Sequence, residues 1–169
     1  MSIKREATIQ DLYRVPENGK AEIVNGELVL IPPTECAPGY ACAEIFIGLR
    51  EYARSAHKGR AVGDNQAFIV DLPNRKSFSP HAAFYTGAPA GMGFFQEAPV
   101  FVVEVRGSAD YGAAVDAQRA AKRADYFAAG TLVVWDVDLL SPDVIRSYRA
   151  DDAVSGWTFP VDDLFEEDE

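Results

Sequence analysis

The stretch Pro99–Val105 reads PVFVVEV, a β-branched and almost wholly apolar run with one acid inside it, Glu104. Such a run has the composition of a strand buried on both faces. An ionised carboxylate placed there without a partner or a metal would cost several kcal/mol. Arg106 stands two residues on, and side chains at i and i+2 of a strand share a face, so Glu104 and Arg106 project together from the sheet. Beyond a turn containing glycine, the run YGAAVDAQRAAKRADYFAAG predicts a helix carrying Lys122 near Tyr126. A buried acid, a cation beside it and a second cation on the next helix are the parts of a metal-and-water site. The same Glu104 and Arg106 also allow a plainer reading, a same-face ion pair at a strand end with no chemistry in it.

The elements that must position these groups can be read in order. Thr8 before IQDLYRV, with Pro16 behind, predicts a short capped helix in which Asp11 takes the third helical position. KAEIVNGELVLIPP reads as two strands joined by Asn25-Gly26, a strong hairpin signal, with Ile23, Val29 and Ile31 toward the core. Glu22 falls in the first of them, where the plain expectation is an exposed acid. A long helix over 39–58 follows Pro38 and stops at Gly59; its charged face reads as solvated, and His57 suits the helix C-terminus. Residues 60–72 predict one strand, NRKS a turn with Arg75 and Lys76 exposed, and PHAAFY a short strand beginning at Pro80. After Gly130, TLVVWDVD predicts a second buried strand, VIRSYR another, and GWTFPV an edge strand. The class expected is α/β, with a mixed central sheet from residues 60–70, 81–85, 99–106 and 131–137 flanked by helices near 39–58 and 113–129.

Composition bounds the rest. A chain of 169 residues fits one domain, here 1–150, followed by a C-terminal edge strand and acidic tail over 151–169. The net charge of −10 is concentrated in that tail, where eight of the 26 acids follow Arg149 with no base among them. The body is therefore near neutral, and the acidic tail argues mildly against tight non-specific binding to DNA. No run approaches a membrane span and the N-terminus lacks a signal-peptide core, so a cytoplasmic location is expected. Cys36 and Cys42 suggest neither a disulfide framework nor a zinc site.

Taken together, AEIVNGELVLIPP (21–33), SPHAAFY (79–85), VFVVEV (100–105) and KRADYFAAGTLVVWDVD (122–138) resemble the Uma two family of endonucleases, within the PD-(D/E)XK restriction-endonuclease-like superfamily. The resemblance implies a restriction-endonuclease-like core with an N-terminal helix and β-hairpin, and metal-dependent hydrolysis of phosphodiesters in DNA. It implies Glu104, His81 and Glu22 at the metal positions, and Glu104, Lys122 and Arg106 as catalytic candidates. Magnesium or manganese is the implied cofactor, because such ions take hard oxygen ligands and keep several waters. One position departs: the family has Asp after Pro80, and this chain has His81. An imidazole nitrogen there suits zinc, nickel, iron or manganese better than magnesium. Arg106 departs as well, since the family has a small or apolar residue there, and it could fill the space of the superfamily's original motif lysine. Three readings stay open: an active metal-dependent nuclease with an altered site, a catalytically inactive nuclease-like fold acting as a binding or regulatory module and forming a homodimer, and a structural variant of weak activity in which His81 only makes hydrogen bonds.

Overall fold

The alternation of apolar residues is realised as two sheets and three helices in a computed structural model that describes residues 4–15 and 19–166. In chain order these are α1 (Ile9–Tyr13), β1 (Lys20–Val24), β2 (Glu27–Ile31), α2 (Cys36–Ala56), β3 (Arg60–Val62), β4 (Phe68–Leu72), β5 (Arg75–Phe78), β6 (Ala82–Tyr85), β7 (Phe101–Val105), α3 (Ala113–Ala128), β8 (Val133–Val137) and β9 (Ile145–Arg149), followed by a 3-10 turn at Val161–Leu164. The larger sheet has the order β3-β6-β7-β8-β9, and the smaller one β2-β1-β5-β4. Among the described strands, β7 and β8 pair in parallel, joined by the α3 crossover, and the other strand pairings are antiparallel; an isolated parallel bridge joins Phe68 to Phe95.

β7 is the central strand of the larger sheet and is buried along its whole length. Its two faces meet different neighbours. Phe101, Val103 and Val105 pack with Ala41, Ile45 and Leu49 of α2. Val102, on the opposite face, packs with Phe68 and Phe78 of the smaller sheet and with Tyr126 of α3. Glu104 shares the Val102 face by strand alternation, so the acid points into the layer between the two sheets and α3. The capping box at Thr8 and Asp11 forms as expected, as does the hairpin at Asn25-Gly26.

Several local expectations are corrected. The single strand over 60–72 is two strands in different sheets, because Asp64 accepts the Asn65 N–H at 2.7 Å and Asn65 adopts a left-handed φ of 60°, which turns the chain. NRKS is not a solvent-exposed turn: Arg75 opens β5 and is buried, while Lys76 beside it is half-buried. Glu22 is buried instead of exposed, and Val29 is exposed where it was expected in the core. The stretch 156–161 forms no strand; Trp157 instead stacks on Trp135 and meets Phe101 edge to face, adding cover to the core. Pro16 and the acids at 167–169 lie outside the described residues.

Gly59 makes the turn from α2 into β3 with φ at +67°, and a Cβ there would lie 2.5 Å from the Phe84 ring. Gly59→Ala is expected to cost about 2–4 kcal/mol from left-handed strain plus overpacking. Urea unfolding should show a lower midpoint with an unchanged slope.

Candidate functional site

β1 and β5 pair at Val24 and Arg75 and then diverge, which opens a wedge in the smaller sheet. The backbone groups left in that wedge are satisfied by side chains: Ile23 N–H donates to Ser77 Oγ at 2.8 Å, and Ser79 N–H donates to Glu22 Oε1 at 2.9 Å. Glu22 is thus held inside the protein, with Arg75 Nη1 donating to its Oε2 at 2.8 Å. Arg75 in turn donates through Nε to Asp125 on α3 at 3.0 Å and lies over the Phe78 ring.

Lys122 ties this wedge to the larger sheet. Its Nζ lies 2.9 Å from Glu22 Oε1 and 2.7 Å from Glu104 Oε1. Tyr126, one helical turn on from Lys122, donates its hydroxyl to Glu104 Oε1 at 2.6 Å. His81 approaches from the start of β6: its Nδ1 accepts the Val105 N–H at 2.9 Å and lies 3.3 Å from Glu104 Oε2. Glu22, His81, Glu104 and Lys122 are therefore brought together, with Glu22 behind the others and away from solvent.

Arg106 borders this group in a second cluster. It does not pair with Glu104; it grips Asp136 through Nε and Nη2 at 3.1 and 2.8 Å and reaches Asp116 at 2.7 Å. Asp136 is the register partner of Glu104 on the parallel strand β8, and it also accepts from Arg119 Nη2 at 2.7 Å. The sequence reading missed Arg75, Arg119, Asp136 and the role of Tyr126. Only Tyr126 carried a signal, its i+4 spacing from Lys122 on one helix.

Electrostatics follow from this packing. Burial works against the charge of Glu104, but Lys122 beside it holds the carboxyl well below its ordinary value of 4.5. Burial alone would strip the proton from Lys122, and the Glu104 and Glu22 carboxylates hold it on more firmly than in a free lysine. Burial, together with the same two acids, keeps the Tyr126 phenol protonated well above its usual range. Lys122 and Tyr126 are donors here and neither can serve as a general base.

The donor set answers poorly to a resident metal. Both Glu22 oxygens are engaged, Glu104 Oε1 is shared by Lys122 and Tyr126, and His81 Nδ1 is already an acceptor. Among the described residues no group of three or more His, Cys, Asp or Glu is placed to hold a metal ion. The site opens on a cleft of about 220 Å³ walled by Lys20, His81, Glu104, Arg119 and Lys122.

The sequence model of the Uma2 (Uma two) family, described as "Putative restriction endonuclease", matches residues 8–161. This chain belongs to the Uma2 family. A crystal structure of "a putative nuclease belonging to DUF820" from Anabaena variabilis superposes with a TM-score of 0.65 at 16% identity, covering 86% of this chain and 81% of that chain. That likeness shows a shared fold. No curated protein matches the sequence. Among the described residues of this Uma2 chain, no helix is long and apolar enough to cross a membrane.

The lowered carboxyl of Glu104 sets a pH dependence. A group with a depressed folded pKa contributes stability above its unfolded value and loses it as pH falls through the folded one. The melting temperature is therefore expected to drop as pH falls below 4.5. Glu104→Gln should cost about 2–3 kcal/mol at neutral pH by removing a charged hydrogen-bond acceptor. Thermal melts across this range should show a shallower acid limb in the variant.

Proposed function

We propose that this Uma2 protein engages nucleic acid through the cleft between β6, β7 and α3 and does not cleave it with a magnesium ion, so that the nuclease fold serves as a binding module. The observation that carries this reading is that both acids of the centre already face cations: Lys122 lies between Glu22 and Glu104, Arg75 holds Glu22, and the third position, where the resemblance implies a carboxylate, is His81. Magnesium takes hard oxygen ligands, and an imidazole in place of the third removes one of them. Arg106, fixed on Asp136 and Asp116, supports the wall of the cleft and touches no reacting group.

A second reading has one observation in its favour. His81 Nδ1 and Glu104 Oε2 lie 3.3 Å apart, and a rotation of the ring would offer a nitrogen and an oxygen to manganese or zinc. In that case the protein is an active nuclease with an altered metal preference. The module reading also includes a homodimer, for which β2 offers an open sheet edge with Leu30 64% and Val29 44% exposed.

Calorimetric titration with magnesium, manganese and zinc, alongside cleavage assays on plasmid, linear and single-stranded DNA, separates the two. The expected outcome is that wild type binds none of the three metals and cleaves nothing. His81→Asp, which adds a hard ligand and a negative charge, should gain magnesium binding and measurable nicking. Manganese or zinc binding by wild type, weakened by His81→Asp, would replace the module reading with the altered-nuclease one.

A further inference from the structure

The hydrogen bond from Val105 N–H fixes which way the His81 ring presents its nitrogens. A backbone amide cannot give up its proton, so the Nδ1 it reaches at 2.9 Å presents a lone pair and the ring's N–H falls on Nε2. The ring lines the cleft, so the position that would hold a carboxylate in a metal-dependent centre instead offers an N–H donor. Asp at the same place would repel an anion; this histidine attracts one.

Arg119 supplies a second set of donors. Its Nη2 bonds Asp136 at 2.7 Å and the Glu104 carbonyl at 3.3 Å, which orients the guanidinium. Its Nε is buried and, like its Nη1, finds no acceptor among the described residues. An unsatisfied buried donor is uncommon in a folded protein. Arg119 and Lys122 are three residues apart on α3, share one face, and both wall the cleft.

The acids of the cleft wall are already engaged. Glu104 is covered by Lys122 and Tyr126, the Asp110 carboxylate accepts Gly107 N–H, and the Glu35 carboxylate accepts Ser108 N–H. The cleft of about 220 Å³ is smaller than the roughly 300–1,000 Å³ pockets that enclose whole drug-sized ligands. It has room for one tetrahedral group.

We propose that the cleft is a metal-free site for a phosphoryl group, with Arg119, Lys122 and the Nε2–H of His81 as its donors. Arginine suits this role because its planar fork meets phosphate oxygens two at a time. The proposal rests on the nucleic-acid reading only for the source of the group, a strand terminus or backbone as against free phosphate.

The test is calorimetric titration with inorganic phosphate, in parallel with anisotropy of single-stranded oligonucleotides bearing a 5′-phosphate or a 5′-hydroxyl, all in excess chelator. Three variants are compared after thermal melts confirm folding: His81→Asn, His81→Asp and Arg119→Gln. The asparagine and aspartate variants are nearly isosteric, and each can accept the Val105 N–H, but only asparagine keeps a donor. Wild type should bind phosphate without metal, His81→Asn should bind it more weakly, and His81→Asp should bind at least tenfold more weakly than His81→Asn. Arg119→Gln should weaken oligonucleotide binding and lower its salt slope by about 0.7, the loss of one single-strand phosphate contact. Phosphate binding without oligonucleotide binding would support this site and remove the nucleic-acid reading. Oligonucleotide binding indifferent to His81→Asp and Arg119→Gln would overturn the site and leave that reading standing, and no binding of either probe would overturn both.

Discussion

One ammonium group ties together buried acids from the two sheets of this protein. Lys122 Nζ stands between Glu22 of the smaller sheet and Glu104 of the larger one, 2.9 and 2.7 Å from each. Two carboxylates so deeply buried would repel each other and each would lose its hydration, so neither could remain ionised without a cation between them. Their burial fixes the position of α3, whose Tyr126 then stacks on Phe78 at 4.0 Å and closes the layer between the sheets. Replacing such a buried network by apolar groups of the same shape need not destabilise a protein, so the charges are better understood as specifying one arrangement. They forbid a slip of β1 or α3 by a residue, since either movement would strand a buried charge.

How much of this was legible depended on whether the signal was local. β7 was read correctly because an unbroken β-branched run has few other fates, and Lys122 with Tyr126 fell on a strongly patterned helix. Arg75 was misread because NRKS looks like a turn when only its neighbours are considered. Its burial depends on Glu22, 53 positions away in sequence, a pairing that no local pattern announces. The break between β3 and β4 was hidden in the same way: Asp64 and Asn65 are turn-forming residues, yet the apolar run on either side suggested continuity. Asp136 was invisible for a third reason. Acids inside strands read as outward-facing by alternation, and only the parallel register that places it opposite Glu104 reveals a buried partner for Arg106.

The second cluster gives the first its rigidity. Asp136 draws Arg106 and Arg119 from opposite sides, so the end of β7, the loop after it and the first turns of α3 share one carboxylate. Burial would push the Asp136 carboxyl upward, but hydrogen bonds from Arg106 and Arg119 pull it below its ordinary value, so it stays charged. Arg106 also donates to the Asp110 carbonyl at 3.1 Å, pinning the loop that forms one wall of the cleft. Arg106 therefore acts on the site through backbone geometry. An always-charged guanidinium fully engaged with two acids is in no position to accept a proton.

Position 81 shows how fold and chemistry can be separated within one residue. Its backbone N–H bonds the Val103 carbonyl at 3.1 Å and its side chain accepts Val105 N–H, so it closes the end of the β6–β7 ladder from both sides. The fold requires of this side chain only an acceptor of the right reach. A carboxylate meets that requirement, and so does an imidazole Nδ1. The two differ in charge: an acid at 81 would add a third carboxylate beside Glu22 and Glu104, a negative charge that a divalent cation could answer. With His81 that charge is absent. A substitution that satisfies the sheet while removing one charge leaves the architecture intact and changes which ions the centre can attract, because burial magnifies a single unit of charge far more than any surface position does.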